Sequence, residues 1–80
     1  MVTIHFKSDM YIYAPNKKEI NILPMTTPKP LREILKEMGL SGGEIGFIIQ
    51  NGEMLNLNKD FDTLIYDQDV IELYPFIGGG

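Results

Sequence analysis

The chain opens on strict alternation. In "VTIHF", Val2, Ile4 and Phe6 fall on one side of an extended backbone, and Thr3 and His5 on the other. That is the pattern of a half-buried strand. A second alternation sets Ile20 and Ile22 against Glu19 and Asn21, and Pro15-Asn16 with Lys17-Lys18 marks a turn before it. The two arms predict an antiparallel strand pair, with Tyr11 and Tyr13 prolonging the first strand or lining a long hairpin.

In "TTPKPLREILKEMGL" the period lengthens from two to three and four. Leu31, Ile34, Leu35 and Met38 make one apolar stripe, while Arg32, Glu33, Lys36 and Glu37 cover the other side. This predicts the one main helix. Thr27 is its candidate N-cap, Pro28 suits the first helical position, and Pro30 falls in the first turn, where a missing N–H costs little. Gly39 suits the left-handed residue that ends a helix.

Beyond the "SGGE" loop, "IGFIIQ" reads as a strand, Asn51-Gly52 as a hairpin turn and "EML" as a short returning strand. "NLNKDFDTLIYDQD" is irregular, with one short helical turn around Phe61 to Leu64, and "VIELYPFI" is the last strand. The order β-β-α-β-β-β predicts an α+β domain, a mixed four- to five-stranded sheet with one helix packed on one face. The first and last strands are both apolar, which places both centrally and parallel to each other. That arrangement is a β-grasp, the ubiquitin-like fold. Residues 1–77 are expected to form it, with 78–80 as a flexible glycine tail.

Composition narrows the chemistry. Eighty residues make one domain with a small core. The chain has no cysteine, which removes disulfides, cysteine-based metal sites, iron–sulfur clusters and a thiol nucleophile, and fits a reducing cytoplasm. Seven basic residues against eleven acidic ones give a net charge of -4. The only basic clusters are Lys17-Lys18 and Lys29 with Arg32, so no nucleic-acid partner is expected, and a basic protein face suits the chain better. No apolar run approaches a membrane span and no signal-peptide pattern opens the chain, so a cytoplasmic location without membrane contact is expected. Asp60, Asp62 and Asp67 lack the spacing of a calcium loop, His5 is a lone surface histidine, and no metal is expected. Asp67 and Asp69 read as formers of a type I turn. No nucleophile, base and orienting group converge, which argues against an independent enzyme.

The end of the chain carries the most specific pattern. "DQDVIELYPFIGGG" resembles the C-terminal signature of the MoaD/ThiS family of ubiquitin-like sulfur carriers: two acids, an apolar strand, often a proline, and a terminal Gly-Gly. Asp67 and Asp69 match the acids, Ile71 and Leu73 the buried strand positions, Pro75 the proline of molybdopterin-synthase small subunits, and Gly79-Gly80 the terminal pair. Gln68 stands where the family has glycine in the acidic turn, and Gly78 adds a third glycine. The rest of the chain matches more loosely, through the hairpin, the helix ending at Gly39 and "IIQNGE".

The resemblance implies a chemistry. A C-terminal carboxylate is ionised at neutral pH and is a poor electrophile. In the family a partner adenylates it with ATP, and sulfur then displaces AMP to leave a thiocarboxylate that donates sulfur in cofactor biosynthesis. On this chain Gly80 would carry the reacting carboxylate, with Gly79 and Gly78 as the thin arm behind it. Glycine has no Cβ, so such an arm threads a narrow channel. From Pro75 to the end, an extended backbone spans roughly 20 Å at about 3.3–3.6 Å per residue. The chain has no G-x-x-x-x-G-K-[ST] or G-x-G-x-x-G loop, so ATP is expected at the partner and no cofactor on the chain itself. The implied partners are a ubiquitin-activating-like adenylating enzyme, a sulfur-acceptor synthase and a sulfur donor such as a cysteine desulfurase. Tyr74-Pro75 favours molybdopterin over thiamine as the destination.

Docking requires a surface. If Ile71 and Leu73 face the helix, Tyr74 and Phe76 face outward, with Phe47 on the neighbouring strand. Phe47, Tyr74, Pro75 and Phe76 are therefore the expected partner-binding residues, since exposed aromatic side chains make good interface anchors. Two other functions share parts of this pattern: a ubiquitin-like modifier joined to lysines through Gly80, and a β-grasp binding module whose tail is incidental.

Overall fold

The computed structural model describes residues 1–57 and 59–76. Strand β1 (Val2–Phe6) buries Val2, Ile4 and Phe6 and turns Thr3 and His5 outward, as its alternation requires. It pairs antiparallel with β2 (Ile20–Leu23) and parallel with the last strand (Val70–Tyr74). The short pair β3 (Lys29–Pro30) and β6 (Leu64–Ile65) lies outside the main sheet. The hairpin β4 (Phe47–Gln50) and β5 (Glu53–Leu55) completes a five-stranded mixed sheet of order β2-β1-β7-β4-β5, with β7 as the last strand. Asn51 and Gly52, at φ 49° and 86°, form the turn between β4 and β5, and both positive angles fit a type I′ hairpin. Helix α1 (Leu31–Glu37) packs on one face of this α+β sheet.

The expected long hairpin does not form. After β1 the backbone breaks at Ser8, φ 56°, and Ser8–Tyr13 wind into a 3-10 helix. Met10 is buried in the core, where continued alternation from Val2, Ile4 and Phe6 would also place it, whereas Ile12, on the same side of a continued strand, is turned out. Tyr11, Ile12 and Tyr13 remain exposed. Lys17 donates its Nζ to the Ile12 carbonyl at 2.7 Å, tying the following turn to this segment.

In β2 the period of the sequence is right and the face is inverted. Ile20 and Ile22 are 45% and 51% exposed, whereas Asn21 is buried at 9%. Pairing of Ile4 with Asn21 fixes this register and sets Asn21 on the helix side. A buried amide needs partners, and Asn21 Nδ2 donates to the Lys18 carbonyl at 3.1 Å.

The helix starts later than Thr27. Its N-cap is Pro30, and Lys29–Pro30 run extended against β6. Proline disfavours helical geometry in the residue before it, so Pro28 and Pro30 hold Thr27 and Lys29 out of the helix. The first helical N–H, at Leu31, donates instead to the Thr63 carbonyl at 2.8 Å. From there the stripe behaves as its spacing predicts: Leu31, Ile34, Leu35 and Met38 are buried, and Arg32, Glu33, Lys36 and Glu37 are exposed. Gly39 takes φ 79°, with Gly39 N bonded to Lys36 O and Leu40 N to Leu35 O, a Schellman ending.

Candidate functional site

The last strand positions everything at its C-terminal end. Ile71 and Leu73 are fully buried against the helix side, so Val70, Glu72 and Tyr74 project from the opposite face. Register pairs Tyr74 with Phe47 and Glu72 with Ile49. The rings of Phe47 and Tyr74 stack, with centroids 4.4 Å apart and planes within 10°. Lys7 Nζ stands 5.8 Å over the Tyr74 ring and 3.4 Å from Glu72 Oε2. One ammonium thus joins a cation–π contact to a half-buried ion pair. Two expected patch residues, Phe47 and Tyr74, are therefore brought together, with Lys7 and Glu72 as additions that the sequence pattern did not single out.

Phe76 is the most exposed of the group, at 66%. It forms the ridge between two clefts. One, of about 690 Å³, is lined by Ile45, Gly46, Phe47, Leu57 and Phe61 among others. The other, of about 540 Å³, is lined by Asp9, Met10, Tyr13, Glu44 and Pro75 among others. The 3-10 segment that replaced the predicted hairpin thus forms one wall of a cleft beside Pro75.

The backbone leading to this ridge is gripped from both sides. Lys7 N donates to the Leu73 carbonyl at 2.9 Å, and Gly46 N donates to the Tyr74 carbonyl at 2.8 Å. The loop before Gly46 is itself ordered by Glu44, which accepts from Ser41 Oγ and Gly42 N, each at 2.9 Å. Burial would raise the Glu44 carboxyl, but these hydrogen bonds outweigh it and hold the group below its ordinary range.

At the other end of β7, Asp69 fixes the entry to the strand. Its Oδ2 accepts from Tyr66 N and Gln50 Nε2, both at 2.9 Å, and its Oδ1 accepts from Asn51 Nδ2 at 2.8 Å. Asn51 in turn accepts from Val70 N through Oδ1 at 2.8 Å and donates N–H to the Val70 carbonyl. Desolvation pushes the Asp69 carboxyl up, yet the three hydrogen bonds more than offset it and leave the group below its ordinary range. The turn closes through Asp69 N to Tyr66 O, and Gln68, its third residue, takes φ 76°. A positive angle there belongs to a type II turn, not the expected type I. Gln68 therefore adopts an angle that glycine takes freely. Asp67 is exposed and pairs with the Met1 ammonium.

Gly78, Gly79 and Gly80, the positions expected to carry the chemistry, lie outside the described residues, as does Ile77. His5 is half-buried on the outer sheet face, paired in register with Ile20 and Glu72. Among the described residues no group of three or more His, Asp or Glu is placed to hold a metal ion, and no helix is long and apolar enough to cross a membrane. No protein-family model, curated protein or solved structure matches the chain.

Proposed function

We propose that the chain is a β-grasp sulfur carrier, a substrate of partner enzymes rather than a catalyst. The observation that carries this reading is the position of β7. It lies between β1, parallel to it, and β4, and ends at Tyr74, whose ring stacks on Phe47. The segment holding the Gly79-Gly80 signature therefore begins at a fixed point in the sheet, next to a face that a partner can grip.

In this reading Phe47, Tyr74, Pro75 and Phe76 dock the adenylating enzyme, which holds the ATP. The Gly80 carboxylate attacks the α-phosphorus, pyrophosphate leaves, and an acyl-adenylate forms. The donor's persulfide adds at the same carbonyl carbon and AMP departs, leaving an acyl disulfide whose S–S bond a thiol reductant then cleaves. The resulting thiocarboxylate passes its sulfur to an acceptor synthase, with molybdopterin favoured over thiamine. Work in the cytoplasm suits a chain without cysteine.

The test is the intact mass of the natively purified protein. A carrier shows a fraction heavier by the replacement of one oxygen with sulfur, and loses it when Gly79-Gly80 are deleted. Gly-Gly remnants isopeptide-linked to other proteins, with no sulfur on the native chain, would replace the carrier reading with the modifier. Neither signal, together with no ATP–pyrophosphate exchange with any candidate adenylating enzyme, would leave a binding module.

A further inference from the structure

We infer that Gly46 is a positioning residue for the C-terminal segment, fixing the direction in which the chain leaves the sheet. A Cβ built on Gly46 would lie 2.4 Å from the Pro75 carbonyl oxygen, 2.6 Å from the Pro75 carbonyl carbon and 2.8 Å from Phe76 N. All three are backbone atoms, so no side-chain rotation relieves the collision. The Pro75–Phe76 peptide passes directly over the Gly46 Cα because nothing projects there.

The grip is specific to this crossing. Gly46 N holds the Tyr74 carbonyl at 2.8 Å immediately before it, and Phe47 holds the Tyr74 ring by stacking. Residues 46 and 47 therefore bind one backbone group and one side chain of Tyr74, then leave a Cβ-free surface for the next peptide. Gly43, in the same loop, is different: a Cβ there meets only Ser41 Oγ, at 3.8 Å. To reach ordinary contact distance, alanine at position 46 must open the 2.4 Å approach to the Pro75 carbonyl oxygen by about 1 Å. The displacement falls on the Pro75–Phe76 peptide, the last that the structure describes before the C-terminal residues. For a segment that must deliver its terminal atom into a partner's site, misplacement of this kind lowers turnover, and because Pro75 and Phe76 are themselves docking residues in the carrier reading it weakens docking as well. That functional consequence rests on the carrier reading, and the displacement itself does not.

The experiment compares the full chain with Gly46→Ala, with Gly43→Ala as control. Residual dipolar couplings and amide shifts of the labelled proteins are measured, along with ATP–pyrophosphate exchange on a candidate adenylating enzyme. In Gly46→Ala the Phe76 amide is expected to reorient while amides of Leu31–Glu37 keep their values. Turnover is expected to fall roughly 10- to 100-fold. Gly43→Ala is expected to match the wild type in both. A Phe76 amide that keeps its orientation in Gly46→Ala overturns the inference. So does global loss of amide dispersion, which would make Gly46 a requirement for folding instead. An unchanged turnover, where the wild type exchanges, also overturns it. A wild type that supports no exchange defeats the carrier reading, and the couplings still decide the role of Gly46.

Discussion

Asp69 offers the sharpest test of how the entry to β7 is held. Replacing it with asparagine keeps the shape and removes the charge. One terminal oxygen becomes an NH₂ donor, and the site presents donors on both sides: Asn51 Nδ2 to Oδ1, Tyr66 N and Gln50 Nε2 to Oδ2. The orientation with least loss keeps the Oδ2 pair and sets the new NH₂ against Asn51. Asn51 cannot answer by flipping, because its Oδ1 already accepts from Val70 N. Asp69→Asn therefore loses one charge-assisted hydrogen bond and weakens two others to neutral ones. With charged bonds contributing about 1.5–3 kcal/mol and neutral ones about 0.5–1.5, and with Asn51 and Tyr66 open to water, the loss is about 2–3 kcal/mol. In a chain of this length that lowers Tm by roughly 10–20 °C. The sign with pH follows from the carboxyl standing below its ordinary range in the fold. Between the folded and unfolded pKa the unfolded chain binds more protons, so stability rises with pH there. The contribution of Asp69 is complete above the ordinary carboxyl pKa of about 3.9 and is lost as pH falls through the lower, folded value. Urea melts of both proteins at about pH 7 and at about pH 3 are the assay, and the gap between them is expected to narrow in acid. Glu44 titrates in the same direction, but equally in both proteins, so the difference isolates Asp69. A variant within about 0.5 kcal/mol of the wild type at neutral pH would refute the network as a fastening of β7.

Two further outcomes are expected. Gln68→Gly relieves a left-handed backbone at φ 76°; against a strain of about 1–2 kcal/mol it brings an entropic loss of about 0.5–1 kcal/mol. The net is a gain of roughly 0.5–1 kcal/mol, read as a higher urea midpoint at constant slope, while Gln68→Ala shows no gain. Phe76→Asp leaves stability within about 0.5 kcal/mol, because the ring is 66% exposed, yet weakens binding to the adenylating partner by roughly 30-fold or more if Phe76 is an anchor. Calorimetric titration that finds equal affinities would remove Phe76 from the docking surface.

Much of the fold is legible in the sequence, wherever apolar spacing decides it. Val2, Ile4 and Phe6, Leu31 to Met38, and Ile71 with Leu73 all bury the face that their periods select. Gly39 and Asn51-Gly52 take the positive angles that their residue types favour. Three features failed for physical reasons that local pattern does not contain. Register inverts β2, since Ile20 and Ile22 alternate as well as any buried pair and only the partner strand decides which side is covered. Ser8 takes φ 56° and Ser8–Tyr13 wind into a 3-10 helix, a break that the alternation of the sequence does not announce. The β3–β6 pair is two residues long on each side, too short for any periodic signal.

The candidate site divides in the same way. Phe47 and Tyr74 follow from alternation, because both lie on strands whose inner residues are evident. Lys7 and Glu72 do not: a lysine one residue past β1 and a glutamate inside β7 meet only because those strands run parallel. Gly46 is the least legible of all. In "SGGEIGF" it looks like one more loop glycine, and the reason for it lies thirty residues away in the Pro75–Phe76 peptide. Its two neighbours in the loop have other occupations: Gly42 donates its N–H to Glu44, and Gly43 donates its N–H to Ser41 Oγ at 3.3 Å. Three glycines in one short loop thus meet three different demands, and the one that touches the base of the C-terminal segment is the one that cannot gain a methyl group without moving it. If that segment is the part of the molecule that partners handle, the loop before β4 belongs to the same device as the tail, and a search for function confined to the last residues would miss half of it.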